Sequence, residues 1–215
     1  MVYKRLVNVE KKMKRNGSFA QEYTRIIKDY VSKGYARRLE PNEVPVESDR
    51  LWYLPHFGVE NPNKPAVLFN FREGAVGVCG DIKEMFHQVL IQPEDRCSQR
   101  FLWRDGDDRR DPDIYEMIVM TFGAACSPSA AHYVKTVNAE QLRHSDPRAV
   151  KAIIDYNYVD DYVDSFATES EAISVSTRVK EIHANAGFEL CQFSSSSPIV
   201  ETALGPPGSV SVGWN

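Results

Sequence analysis

This 215-residue chain has no apolar run long enough to cross a membrane, and no hydrophobic segment follows its basic N-terminus of the kind that directs secretion. The expectation is an intracellular protein without a membrane partner. Cysteine is scarce and dispersed. Cys79, Cys97, Cys126 and Cys191 show no Cys-x-x-Cys pairing, which indicates neither a zinc site nor a disulfide framework and leaves buried, reduced thiols. The five histidines are scattered and suggest no role. Internal repeats are missing, and the only low-complexity tract is the serine run at 194–197. What remains is a 42% hydrophobic chain, enough for one substantial core or for a main domain with a smaller appendage.

The net charge of −4 hides a strong asymmetry. Residues 1–38 hold eleven Lys and Arg against three acids, a balance of +8 that leaves −12 for the remainder. A basic arm beside an acidic body fits phosphate contact at one end and metal chemistry in the other, and Lys11, Lys12, Lys14 and Arg15 are the candidate phosphate contacts. A solvated helix face explains the same run of charge.

Apolar residues recur at helical spacing through Leu6, Val9 and Met13, then through Phe19, Tyr23, Ile26, Ile27, Tyr30 and Val31, with Asn16-Gly17-Ser18 between. The pattern predicts two helices joined by a turn, the second ending near Gly34. Residues 40–65 contain five prolines and read as an extended connector with Trp52-Tyr53-Leu54 as a short strand. Residues 99–104 and 114–120 alternate as paired strands, and the five acids and two arginines between them read as a solvated polar turn. Helices are expected over 129–142 and 169–186, a hairpin over 152–166 and a last strand over 188–193. The sum is an α+β fold, an antiparallel sheet with helices packed on one face.

Within that hairpin, Tyr158-Val159-Asp160-Asp161 sets two adjacent carboxylates at the tip of a β-branched and aromatic run. Their mutual repulsion is offset if a divalent cation sits there, because Mg²⁺ takes hard oxygen ligands. Asp is also common in turns for local hydrogen-bonding reasons, so the tetrapeptide alone leaves both readings open. A second acid tilts the balance. Val76-Gly77-Val78-Cys79-Gly80 reads as a short strand that delivers Asp81 at its end, and one carboxylate facing two can hold a pair of metals about 3.5–4 Å apart for in-line phosphoryl or nucleotidyl displacement. Asp155 and Asp164 flank the hairpin and are expected to face solvent.

Residues 80–89, then Met120-Thr121-Phe122-Gly123-Ala124-Ala125-Cys126-Ser127-Pro128, then Tyr158-Val159-Asp160-Asp161 resemble motifs A, B and C of a reverse transcriptase, in order and at fitting spacings. The wording is closest to the Bel/Pao group of long-terminal-repeat retrotransposons, and residues 52–59 with Asn61-Pro62-Asn63-Lys64-Pro65 strengthen that match. The resemblance spans roughly residues 3–200. It implies a reverse transcriptase palm over 66–200 with a partial fingers subdomain, after a basic helical arm (1–39) and a connector (40–65), and before a C-terminal tail (201–215).

By the same resemblance, Asp81, Asp160 and Asp161 hold two Mg²⁺, for which Mn²⁺ can substitute, and catalyse transfer to a primer 3′-hydroxyl. Ile82 lends a backbone carbonyl, and Phe86 lies under the sugar, where its ring favours deoxynucleotides. Gly123, Ser127 and Pro128 support the template and the nascent base pair. The implied partners are an RNA or DNA primer-template, deoxynucleoside triphosphates and other domains of a polyprotein; the implied compartments are the cytoplasm, virus-like particles or the nucleus. Three departures stand out. Pro65 runs directly into Ala66 where the family carries a fingers hairpin whose basic side chains grip the triphosphate, and no thumb sequence follows the last palm strand. Cys191 and Gln192 occupy the region where a lysine often assists pyrophosphate departure. The alternative to a working polymerase is therefore a palm remnant that binds nucleic acid without polymerising.

Overall fold

A helix forms where apolar side chains recur every three or four residues and the chain finds a cap, and both conditions hold at the start of this chain. The computed structural model describes residues 2–44, 50–54, 74–124 and 126–205. Helix α1 (Val2–Arg15) buries Leu6, Val9 and Met13, and α2 (Gly17–Ser32) buries Tyr23 and Ile27. Between them the Asn16 side chain accepts the Phe19 amide hydrogen bond, the N-cap arrangement that satisfies an otherwise unpaired donor. The two expected helices are thus present at the expected turn.

The described residues divide into two units. The first comprises residues up to 54 and 90–121. Here α1 and α2 share a core with an antiparallel sheet ordered β1 (Ala36–Arg38), β4 (Asp113–Met117), β3 (Arg100–Trp103). Ala36, Phe101, Trp103, Met117 and Val119 supply its sheet side. The expected strand at Trp52-Tyr53-Leu54 reduces to a single parallel bridge between Tyr53 and Arg100. The polar turn at 105–113 departs from the expectation of simply solvated charge: Asp105 pairs with Lys28, Asp108 with Lys14, and Asp113 with Arg38 and Arg110.

The second unit comprises described residues of 74–89 and 122–205. Its sheet is antiparallel throughout, ordered β5 (Asn157–Tyr158), β6 (Asp161–Phe166), β2 (Val76–Ile82), β7 (Leu190–Ser195). Strand residues alternate between faces. Val76, Val78 and Ile82 of β2 and Tyr162, Asp164 and Phe166 of β6 form a buried face, on which α5 (Glu169–Asn185) packs through Ala172, Ser176, Val179 and Ile182. The opposite row, Cys79, Asp81, Asp161, Val163 and Ser165, is half-buried. Helices α3 (Ser127–Glu140) and α4 (Pro147–Asp155) pack on α5, and α6 (Pro198–Leu204) packs on α5 and β7.

One expectation is overturned. Residues 152–155 are the last turn of α4, not the first arm of a hairpin. Pro147 sits in the first turn, where its missing N–H costs nothing, and Ala149, Val150, Ala152 and Ile153 bury one helical face, so packing overrides the β propensity of Ile153 and Ile154. The hairpin is correspondingly short, with only Asn157 and Tyr158 as its first arm. The connector beyond Leu54, the apolar stretch through residue 73, Ala125 and the tail from 206 lie outside the described residues.

Candidate metal centre

Three carboxylates meet at one end of the β2–β6 pair. Asp81 is the penultimate residue of β2, and Asp161, the first residue of β6, is its direct cross-strand partner. The Ile82 amide donates to the Asp160 carbonyl at 2.8 Å. That bond makes Ile82 and Asp160 the hydrogen-bonded pair, leaving Asp81 and Asp161 as a non-bonded pair, whose Cα atoms in such ladders lie about 4.5 Å apart with side chains close. Asp160 occupies the two-residue loop between Tyr158 and Asp161. Oxygen atoms from Asp81, Asp160 and Asp161 all lie within 4.8 Å of one another, and all three residues are half-buried.

Local backbone detail accounts for this convergence. In the loop, Val159 has φ +56° while Asp160 does not share the positive sign. This is the pattern of a type II′ turn, whose first central position suits glycine; a β-branched residue there is strained, on the order of 1–3 kcal/mol. On the other side of β2 the β7 register shifts. Cys79 pairs with Ser194 and Asp81 with Cys191, so Gly80 alone faces Gln192 and Phe193, and Gln192 takes φ +52°. This bulge brings the Phe193 ring to 3.2 Å from where a Cβ on residue 80 would stand. A side chain at residue 80 would press on the Phe193 ring and the Cys191 carbonyl directly beneath Asp81, and bulges of this kind commonly re-aim side chains next to sites.

Like charges directly opposite in an antiparallel pair are destabilising, and three in one corner more so. The donor set fits a hard divalent ion: carboxylate oxygens only, from three half-buried residues, the ligand type Mg²⁺ takes. The neighbouring thiols do not compete. Burial first, and the Asp81 charge next, push the Cys191 thiol up, and burial with the Asp161 charge does the same to Cys79. Both stay protonated and poor as ligands.

Behind the acids lies a feature missed in the sequence. Asp164 is fully buried, not solvent-facing: Arg148 of α4 approaches it at 2.9 Å, the Ser165 amide donates to it at 2.8 Å, and the Tyr162 hydroxyl lies 3.4 Å away. Burial pushes its carboxyl up, and the Arg148 guanidinium opposes that rise. Arg148 also lies over the rings of Phe166 and Tyr156, so one side chain ties α4 to β6. The signal was parity. Asp164 falls in register with Tyr162 and Phe166, the core-facing set, and out of register with Asp161. Asp155, by contrast, is exposed and paired with Lys151.

Ile82 is buried, with its amide engaged as described. Phe86 sits in a 3₁₀ turn, Met85–Gln88, and is buried edge-on against Phe122 at a centroid distance of 4.6 Å; Phe122 is the exposed ring of the two. Gly123 takes φ +87° with open space around it, so its requirement is conformational. Ser127 is buried at the first position of α3 and Pro128 follows in its first turn. Lys83, two residues after Asp81, pairs with Glu189 at 2.9 Å. In the other unit, Lys11 and Arg15 are exposed, Lys14 pairs with Asp108, and the Lys12 ammonium lies 4.0 Å from the Phe19 ring centroid.

Among the described residues no helix is long and apolar enough to cross a membrane. No family model matches this chain, and no curated protein matches it.

Proposed function

We propose that residues 74–89 and 122–205 form the palm of an RNA-directed DNA polymerase of the retrotransposon type, which transfers nucleotidyl groups to a primer 3′-hydroxyl. The observation that carries this reading is the convergence of Asp81, Asp160 and Asp161 within 4.8 Å at the end of an antiparallel pair. The motif order read in the sequence supports it.

In this reading Asp81 and Asp160 would be the first ligands of a divalent pair, with Asp161 as the third carboxylate beside them. Cations bound there would activate the primer hydroxyl and neutralise charge that develops on the triphosphate. The residues themselves act by placement. The Ile82–Asp160 hydrogen bond fixes the turn over the strand end, and the β7 bulge with Gly80 sets the height of Asp81. The Arg148–Asp164 pair anchors β6, whose first residue is Asp161. Phe122, exposed beside the buried Phe86, offers a ring wall against which a sugar or base can rest.

Primer extension on an RNA template with Mg²⁺ or Mn²⁺ tests the proposal, beside an Asp160→Asn/Asp161→Asn variant that keeps size and removes charge. Extension that vanishes in the variant supports the polymerase. A folded protein that binds primer-template and extends nothing supports instead a palm remnant that only binds nucleic acid, for which the cationic surface of α1 is the relevant feature.

A further inference from the structure

Helix α1 carries six cations, Lys4, Arg5, Lys11, Lys12, Lys14 and Arg15, and a single acid, Glu10. Glu10 is buried and held by Arg104 in a two-pronged pair, Nε to Oε1 and Nη2 to Oε2 both at 2.7 Å, so its charge is neutralised inside the unit. The helix therefore shows only positive charge outward.

That charge is not uniform. Leu6, Val9, Glu10 and Met13 define the buried face; the positions diametrically opposite are Lys4, Asn8, Lys11 and Arg15, spaced four, three and four residues apart and all exposed. Lys4, Lys11 and Arg15 form no ion pair among the described residues, whereas Lys14 is paired with Asp108, and Lys12 rests on the Phe19 ring a quarter turn away, on the flank it shares with Arg5. At 1.5 Å per residue the row Lys4 to Arg15 runs about 16 Å. That is long enough to follow several successive phosphates of a strand.

We infer that the Lys4–Asn8–Lys11–Arg15 row is a phosphate-contacting rail for a nucleic-acid strand, and that Lys12 and Lys14 belong to the unit's own structure. Charge complementarity selects the occupant. A membrane surface is disfavoured because the apolar face of α1 is already spent on the unit's core and no large apolar side chain interleaves the row. The inference rests on the reading of the chain as a nucleic-acid-handling protein, but not on the metal centre.

The test uses the whole chain and a fluorescent single strand of DNA of about 20 nucleotides, with anisotropy titrations between about 50 and 200 mM salt. Each phosphate contact contributes about 0.7 to the salt slope for single strands. The triple variant Lys4→Gln/Lys11→Gln/Arg15→Gln should reduce the slope by about 2 and the affinity roughly a hundredfold near 0.1 M salt. The Lys12→Gln/Lys14→Gln variant should bind within about twofold of the parent. Circular dichroism melts establish that both variants are folded, since neither touches the buried face. Equal losses in the two variants, an unchanged slope in the triple variant, no binding by the parent, or binding to anionic vesicles in place of the oligonucleotide would overturn the inference. Failure of the metal centre reads out separately, in the primer-extension assay with Asp160→Asn/Asp161→Asn, whose outcome does not enter this titration.

Discussion

Asp81 and Asp161 stand directly opposite each other as a non-hydrogen-bonded pair, the ladder position at which two side chains come closest. A bound cation screens that pair, so saturating Mn²⁺ should stabilise the parent by about 2–3 kcal/mol at a hundredfold excess over its dissociation constant and Asp161→Asn by much less. Scanning calorimetry with and without metal measures both.

Gly80 is fixed by the Phe193 ring beneath it. Gly80→Ala should cost about 1–3 kcal/mol through overpacking and should weaken metal binding by displacing Asp81. Phe193→Leu added to it should restore part of the metal affinity, because the ring supplies two of the three nearest contacts while the Cys191 carbonyl, at 3.3 Å, remains. A double-mutant cycle in denaturant unfolding and Mn²⁺ titration reads the coupling directly; additive losses would contradict it.

Arg148 and Asp164 are a partly buried pair, with Arg148 35% and Asp164 0% exposed. Arg148→Met strands the carboxylate and should cost about 2 kcal/mol or more, somewhat below a fully buried pair because solvent reaches the arginine. Arg148→Met/Asp164→Leu should recover much of that loss. Equilibrium unfolding of the three variants checks the ordering.

Two buried bases on packed helices make stability rise with pH, each in its own window. His183 of α5 donates from Nδ1 to the Val179 carbonyl, and burial lowers it to about 4 from an ordinary 6.5. Between those values the unfolded chain binds more protons than the fold, so stability falls as pH drops through that window. Lys135 of α3 is buried with no hydrogen-bond partner for its Nζ, and burial lowers it to about 8 from 10.5. The same sign applies, so stability rises from pH 8 towards 10.5. His183→Leu should flatten the acid limb. Lys135→Met should flatten the alkaline limb and stabilise the protein at pH 7 by on the order of 2 kcal/mol. Denaturant unfolding across pH resolves the two limbs.

How much of this was legible follows from the range of each signal. The α1–α2 pair, α5 and the paired strands at 100–103 and 113–117 were readable because periodicity and caps are local. So were the three acids, because adjacent carboxylates on a β-rich run are chemically conspicuous. Helix α4 was misread as strand since Ile153 and Ile154 satisfy both patterns, and only packing against α3 and α5 decides between them. The bulge opposite Gly80 and the neutralisation of Lys14 by Asp108 depend on contacts between segments far apart in sequence, for which no local pattern exists.

The proposed two-ion centre at Asp81, Asp160 and Asp161 is read out by electron paramagnetic resonance of Mn²⁺ bound to the whole protein. Two ions per chain are expected, spin-coupled at a separation of about 3.5–4 Å, with the coupled signal lost in Asp81→Asn and in Asp161→Asn. Uncoupled Mn²⁺ indifferent to both substitutions, or none bound at millimolar concentration, would contradict it.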